Sequence, residues 1–169
     1  LSQGGDLSVL LPAHDPVADD TVQWLARLGL LKRQPGDPGL SLSLIMPGHI
    51  EQLRTDLQLR AFEVTHAQGR PCLGYAVERR ARKLRTEFIG ATGETIRLAR
   101  LAQGEDAVTV PVTTPLLVHT GDCIGVPDTT GLHGAKVLVA DATFLNSHDR
   151  TEGTHWSVEE ALAFADEIA

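Results

Sequence analysis

The stretch Leu116-Leu-Val-His-Thr-Gly-Asp122 constrains this chain more than any other. An apolar run of this length suits a buried strand and is too short for a buried helix. It ends in Thr120-Gly121, so the carboxylate of Asp122 is thrown out at the strand's tip. Strand tips of layered α/β domains are where sites sit, because the strands are rigid and the loops above them are free to vary. Val64-Thr65-His66 sets a histidine at the end of another apolar run, and Gly153-Thr154-His155 sets one just ahead of a helix. An aspartate with two such histidines has the donor chemistry of part of a hydrolytic metal site.

The flanking pattern alternates strands with helices. Strands are expected at Ser8–Leu11, Leu40–Met46, Leu57–Thr65, Cys72–Val77, Ala107–Val112, Leu116–Asp122 and Lys136–Ala140. The first helix is expected to be capped by Asp19 or Asp20 and to present Val22, Leu25 and Leu28. Gly93–Gln103 reads as a second helix, stopped by Gly104. Ser157-Val-Glu-Glu160 has capping-box spacing and opens a third, with Ala161, Phe164 and Ile168 inward. Gln34–Gly39, with two prolines and two glycines, is a loop. These elements fit a single α/β domain, a sheet covered by helices, with both ends of the pattern open.

Composition narrows the partners. Hydrophobic residues make up 42% and charged residues 22% of the 169, as in ordinary soluble domains. No apolar run approaches the length of a membrane span, about 20 residues. Two cysteines, Cys72 and Cys123, make no disulfide framework and suit a reducing, cytoplasmic setting. Cys123 is expected to fill a tight turn rather than bind metal. The net charge of −7 argues against a chain that grips nucleic acid over its whole surface. Yet Arg79, Arg80, Arg82, Lys83 and Arg85 cluster in one interval, a local basic face that could hold a phosphate backbone.

Several pieces in order resemble the ribonuclease Z family, tRNA 3′-end endonucleases of the metallo-β-lactamase fold. His66 with Gly74-Tyr-Ala-Val-Glu78 is similar to that family's His…Gly-Tyr-x-x-Glu segment. Glu87–Glu94 and Val112–Pro115 resemble the short-form enzymes. His119-Thr-Gly-Asp-Cys123 is similar to the family's Phe-Thr-Gly-Asp-Thr, and Asp141-Ala-Thr-Phe144 to its Glu-Ala-Thr-Phe. Thr154-His-Trp-Ser157 stands where Gly-His-Ser is usual. The resemblance spans roughly residues 60–169. It implies an αββα sandwich, of which this chain is the second half. It also implies that His66 ligates one metal, that Asp122 bridges two, and that His155, with Asp141 as its acidic partner, is a proton donor beside the scissile phosphate. Two Zn2+ ions are implied, with Mn2+ as an alternative, acting on precursor tRNA in a homodimer.

The departures shape the remaining expectations. The family's His-x-His-x-Asp-His cluster is not present in this chain, and Asp141 is one methylene shorter than the usual Glu. The family's tRNA-gripping arm is missing between Tyr75 and Asp122, an interval expected to hold only a basic helical region. The chain is therefore read as a partial domain whose N-terminal half and last strand lie outside it. Taken alone it is expected to be inactive and to leave strand faces exposed. Two other readings stand beside the endonuclease: a hydrolase of the same fold acting on a small phosphodiester, and a metal-free binding or scaffold module.

Overall fold

The computed structural model describes residues 7–31, 39–66, 71–150 and 155–169; most of the expected 34–39 loop, and Gly153 and Thr154, lie outside the described residues. The chain opens with strand β1 (Leu7–Pro12), helix α1 (Pro16–Arg27) and strand β2 (Leu40–Ile45). β1 and β2 pair in parallel, from Leu7 opposite Leu40 to Pro12 opposite Ile45, as a two-stranded sheet. The N-cap of α1 is Asp15, not Asp19 or Asp20. Its carboxylate accepts the Val17 N–H at 3.0 Å, and Pro16 stands at the first helical position, where no N–H is needed. Asp19 falls instead in the first turn, where its charge suits the positive end of the helix. Of the expected inner face, Val22 and Leu25 are half-buried and Leu28 is exposed.

Among the described residues, five strands form the second sheet: β3 (Ile50–Arg54), β4 (Leu57–Val64), β5 (Cys72–Leu84), β6 (Thr109–His119) and β7 (Val137–Val139), side by side in that order. All pairs are antiparallel except β6–β7. The strands expected at Leu57–Thr65, Cys72–Val77, Leu116–Asp122 and Lys136–Ala140 all fall in this sheet. Period-2 alternation divides its faces. Phe62, Val64, Cys72, Ala76 and Val118 turn one way, toward Trp156, Phe164 and Ile168 of helix α4 (Val158–Ile168) and the stretch leading into it. Ala61, Leu73 and Tyr75 turn the other way and pack with Leu10 and Ile45 of the two-stranded sheet. The layers are thus sheet, sheet and helix, three of the four layers of an αββα sandwich. Leu44, Met46, Val137 and Val139 remain exposed.

Three expectations are corrected. β3 has no counterpart among the expected strands; every residue in it is exposed, so it carries no alternation to read. Arg79–Arg85 is not helical: β5 carries Arg79 to Lys83 as strand, paired with Thr114 through Val110 of β6. The strands expected at 107–112 and 116–122 are one strand, β6, entered from a four-residue helix α3 (Glu105–Val108) that comes after helix α2 (Gly93–Gln103). Pro111 and Pro115 are tolerated because β7 pairs only with Leu117–His119, so at the prolines β6 is hydrogen-bonded on the β5 side alone. A register shift at Val77/Glu78 leaves Leu116 without an opposite residue. As expected, Gly104 ends α2, at φ 87°, and Ser157 with Glu160 forms the capping box of α4.

Candidate metal centre

Strand direction assembles the site. β4 is antiparallel to β5, β5 is antiparallel to β6, and β6 is parallel to β7. β4, β6 and β7 therefore run the same way, and the residues after them, His66, Asp122 and Asp141, emerge at one edge of the sheet. The tips are pinned by backbone bonds. Thr65 N–H donates to Gly125 O and Ile124 N–H to Thr65 O, each at 2.8 Å, which ties the Asp122 loop to His66. Thr120 N–H donates to Val139 O at 3.0 Å, and Gly121, at φ 63°, makes the turn a side chain would resist. Cys123 is fully buried in the core beneath this turn, and burial pushes its thiol pKa up, so it fills space, in line with the sequence reading.

His155 arrives from another direction, two residues ahead of the α4 cap. Phe144 N–H donates to Trp156 O and Val158 N–H to Phe144 O, so the segment after Asp141 is laid beside the segment after His155. The outcome is a bond of 2.5 Å between His155 Nδ1 and Asp141 Oδ2. With the carboxylate as acceptor, Nδ1 carries the proton and Nε2 is the nitrogen left for other work. Asp141 also accepts from Thr143 Oγ1 at 3.1 Å. The His66 and His155 rings meet edge to face, their centroids 5.5 Å apart.

Among the described residues, His66, Asp122 and His155 offer donor atoms that all lie within 4.8 Å of one another. His66 Nε2 is buried and has no hydrogen-bond partner among the described residues. A buried imidazole nitrogen left without a partner calls for a proton donor or a cation. Imidazole and carboxylate donors suit zinc, and a histidine backed by a carboxylate is the outer-shell arrangement such sites use. The residues thus fit a divalent cation. The geometry differs from the expectation in one respect, because His155 also comes within ligating range of the other two.

The basic cluster is elsewhere. Arg79 lies opposite Leu57, at the far end of β4 from Val64. At about 3.3 Å per residue this is more than about 20 Å from His66. Arg80 donates to Gln52 Oε1, Arg82 to Thr109 Oγ1 and to Asp106, and Arg85 to Asp106 O, while Arg79 and Lys83 are exposed. Sequence reasoning misses one feature of the site's support. Arg150 bonds both the His155 carbonyl and the Glu160 carboxylate. Glu78, buried at 2% exposure, belongs to the basic end of the sheet, where it takes Gln58 Nε2 at 2.7 Å and Arg60 Nε at 2.6 Å. The capping spacing draws attention to Glu160, but nothing local marks Arg150.

No family model matches the sequence. The human short-form tRNase Z, ELAC1, superposes with a TM-score of 0.56 at 14% identity, covering 98% of this chain and 58% of that one. The fold is therefore that of the metallo-β-lactamase group. A tRNase Z of Arabidopsis thaliana, TRZ1, is 32% identical over 125 residues, which is 69% of this chain and 43% of the plant protein. Within the fold group the chain is ribonuclease Z-like, and the match is partial: it spans less than half of that curated relative. No helix among the described residues is long and apolar enough to cross a membrane.

Proposed function

We propose that this chain supplies part of the active site of a metal-dependent phosphodiesterase, a ribonuclease Z-like endonuclease acting at the 3′ end of precursor tRNA. One observation carries the reading: His66, Asp122 and His155, from three separate segments, converge at one sheet edge with Asp141 behind His155. In this reading His66 and Asp122 hold divalent cations, zinc first and manganese as the alternative. Bound there, a pair of such ions would supply Lewis acidity and an activated water. The Asp141 carboxylate, bonded to Nδ1, orients His155 so that its Nε2 faces the leaving oxygen, to which it delivers a proton. The exposed Arg79 and Lys83, far from the cut, grip the RNA backbone.

A small phosphodiester is the second reading. The interval between Tyr75 and Asp122 returns as a plain hairpin with two helices, and its basic strand is remote from the donors. Precursor tRNA and bis(p-nitrophenyl) phosphate, assayed side by side with the full-length protein, separate the two. The endonuclease reading expects tRNA cleavage that His66→Ala or Asp122→Ala reduces by at least about 100-fold, as for a lost transition-state contact. Hydrolysis of the small ester alone would refute it. Elemental analysis without bound metal, together with no turnover on either substrate, would leave a binding module.

A further inference from the structure

Besides the donors and their carboxylate partner, the site is held by a cation that ligates nothing. Arg150 Nη1 donates to the His155 carbonyl at 3.0 Å and to Glu160 Oε2 at 3.2 Å, while Nη2 donates to Glu160 Oε1 at 3.0 Å. Glu160 is itself fixed, because it accepts the Ser157 backbone N–H at 2.9 Å and the Ser157 hydroxyl at 3.1 Å. The pair is partly shielded, with side chains 21% and 33% exposed. We infer that Arg150 is a positioning residue: seated on Glu160, it holds the His155 carbonyl and so keeps the imidazole on Asp141 and beside His66 and Asp122.

The geometry explains why an arginine stands there. A planar guanidinium can engage a carboxylate through two nitrogens and still direct an N–H at a third acceptor, whereas an ammonium is a point charge without that fork. His155 stands two residues ahead of the α4 cap, Ser157. Its backbone is fixed on the C-terminal side, by the bonds at Trp156 and Val158 and the α4 cap, and by Arg150. A loosened carbonyl lets the peptide turn and carries the imidazole out of line with Asp141. Displacements of about 1 Å at a reacting group can cost about 100-fold in rate.

The inference rests on the phosphodiesterase reading for its kinetic consequence but not for its structural one, so the test has two arms. In the full-length protein, proton NMR follows the strongly downfield imidazole resonance expected of the short His155–Asp141 bond, and kinetics on the better of the two phosphodiesters gives kcat and KM. Arg150→Ala and the milder Arg150→Lys are expected to lose the resonance and to lower kcat about 10- to 100-fold with KM nearly unchanged. Asp15→Ala, which removes the distant α1 cap, serves as a control for lost stability and is expected to lower Tm while keeping both. An Arg150→Lys protein with the wild-type resonance and kcat within twofold would overturn the inference. So would an Asp15→Ala protein that lost the resonance as fully as Arg150→Ala, because the effect would then be general destabilisation. If the wild type cleaves neither ester the phosphodiesterase reading fails, and the resonance in the Arg150 variants alone decides for or against the clamp.

Discussion

At the scale of single residues, the tightest constraint is Gly74, directly opposite Phe62 on the neighbouring strand. A Cβ added there would stand 2.3 Å from the Phe62 ring, which already lies in the core against α4. The ring covers the glycine, so each of the two residues is explained by the other. Overfilling such a contact typically costs about 1–3 kcal/mol. Gly74→Ala should therefore lower the urea midpoint with an unchanged m-value, and equilibrium unfolding checks it. In sequence the glycine is legible only as part of a motif; its physical reason, a facing phenylalanine twelve positions earlier, needs the register. His66 and Asp122 are legible because each comes after an apolar run and a short turn, so the strand that delivers it announces itself. Their third neighbour is legible as a histidine ahead of a cap, but its short bond to Asp141 depends on the pairing of 144 with 157, which no local pattern encodes.

At the scale of elements, α4 does most to fix the site's geometry. Its cap joins Ser157, Glu160 and Arg150, and the Ser157 backbone N–H, with help from its hydroxyl and from Arg150, holds the Glu160 carboxyl below the usual glutamate range. A depressed carboxyl stabilises the fold above the unfolded value of about 4.3, and that contribution is lost as pH falls through the lower folded value. Thermal unfolding followed from pH 7 downward should show wild type above Glu160→Gln at neutral pH, with the gap closing below about pH 4. A gap that widened in acid would reverse the sign and reject this account. The strands of the far half are the hardest to read from sequence. Arg79–Lys83 has the composition of a solvated helix face, yet backbone pairing with β6 continues past the point where apolar alternation stops. Two prolines usually end a strand, so pattern alone divides β6 in two; here they fall where β6 has only one neighbour. Hydrophobic pattern reports which strands are covered, and these stretches have little to cover them.

At the scale of the molecule, charge and chemistry occupy opposite ends of one sheet. If the basic end holds an RNA backbone while the other end cuts it, the two ends can be separated by mutation. Arg79→Ala with Lys83→Ala should weaken RNA binding and reduce the slope of log affinity against log salt by about 0.7 per lost phosphate contact. Turnover of the small ester should stay within twofold of wild type; fluorescence anisotropy over a salt series and the ester assay check both. The shared direction of β4, β6 and β7 has a consequence of another kind. Donors at 66, 122 and 155 are far apart along the chain and adjacent only once it has folded. A cation held by His66 and Asp122 would therefore be a removable cross-link, closing a long segment that wanders freely in the unfolded polymer. Ligation of the native form alone adds about 2.7 kcal/mol at a hundredfold excess over Kd. The melting temperature of the full-length protein should then climb by about 5–10 °C on zinc addition and fall back with a chelator, while His66→Ala melts at one temperature throughout. A thermometer thus becomes a ligand assay, and it reads out whether those strand tips meet without requiring that any substrate be known.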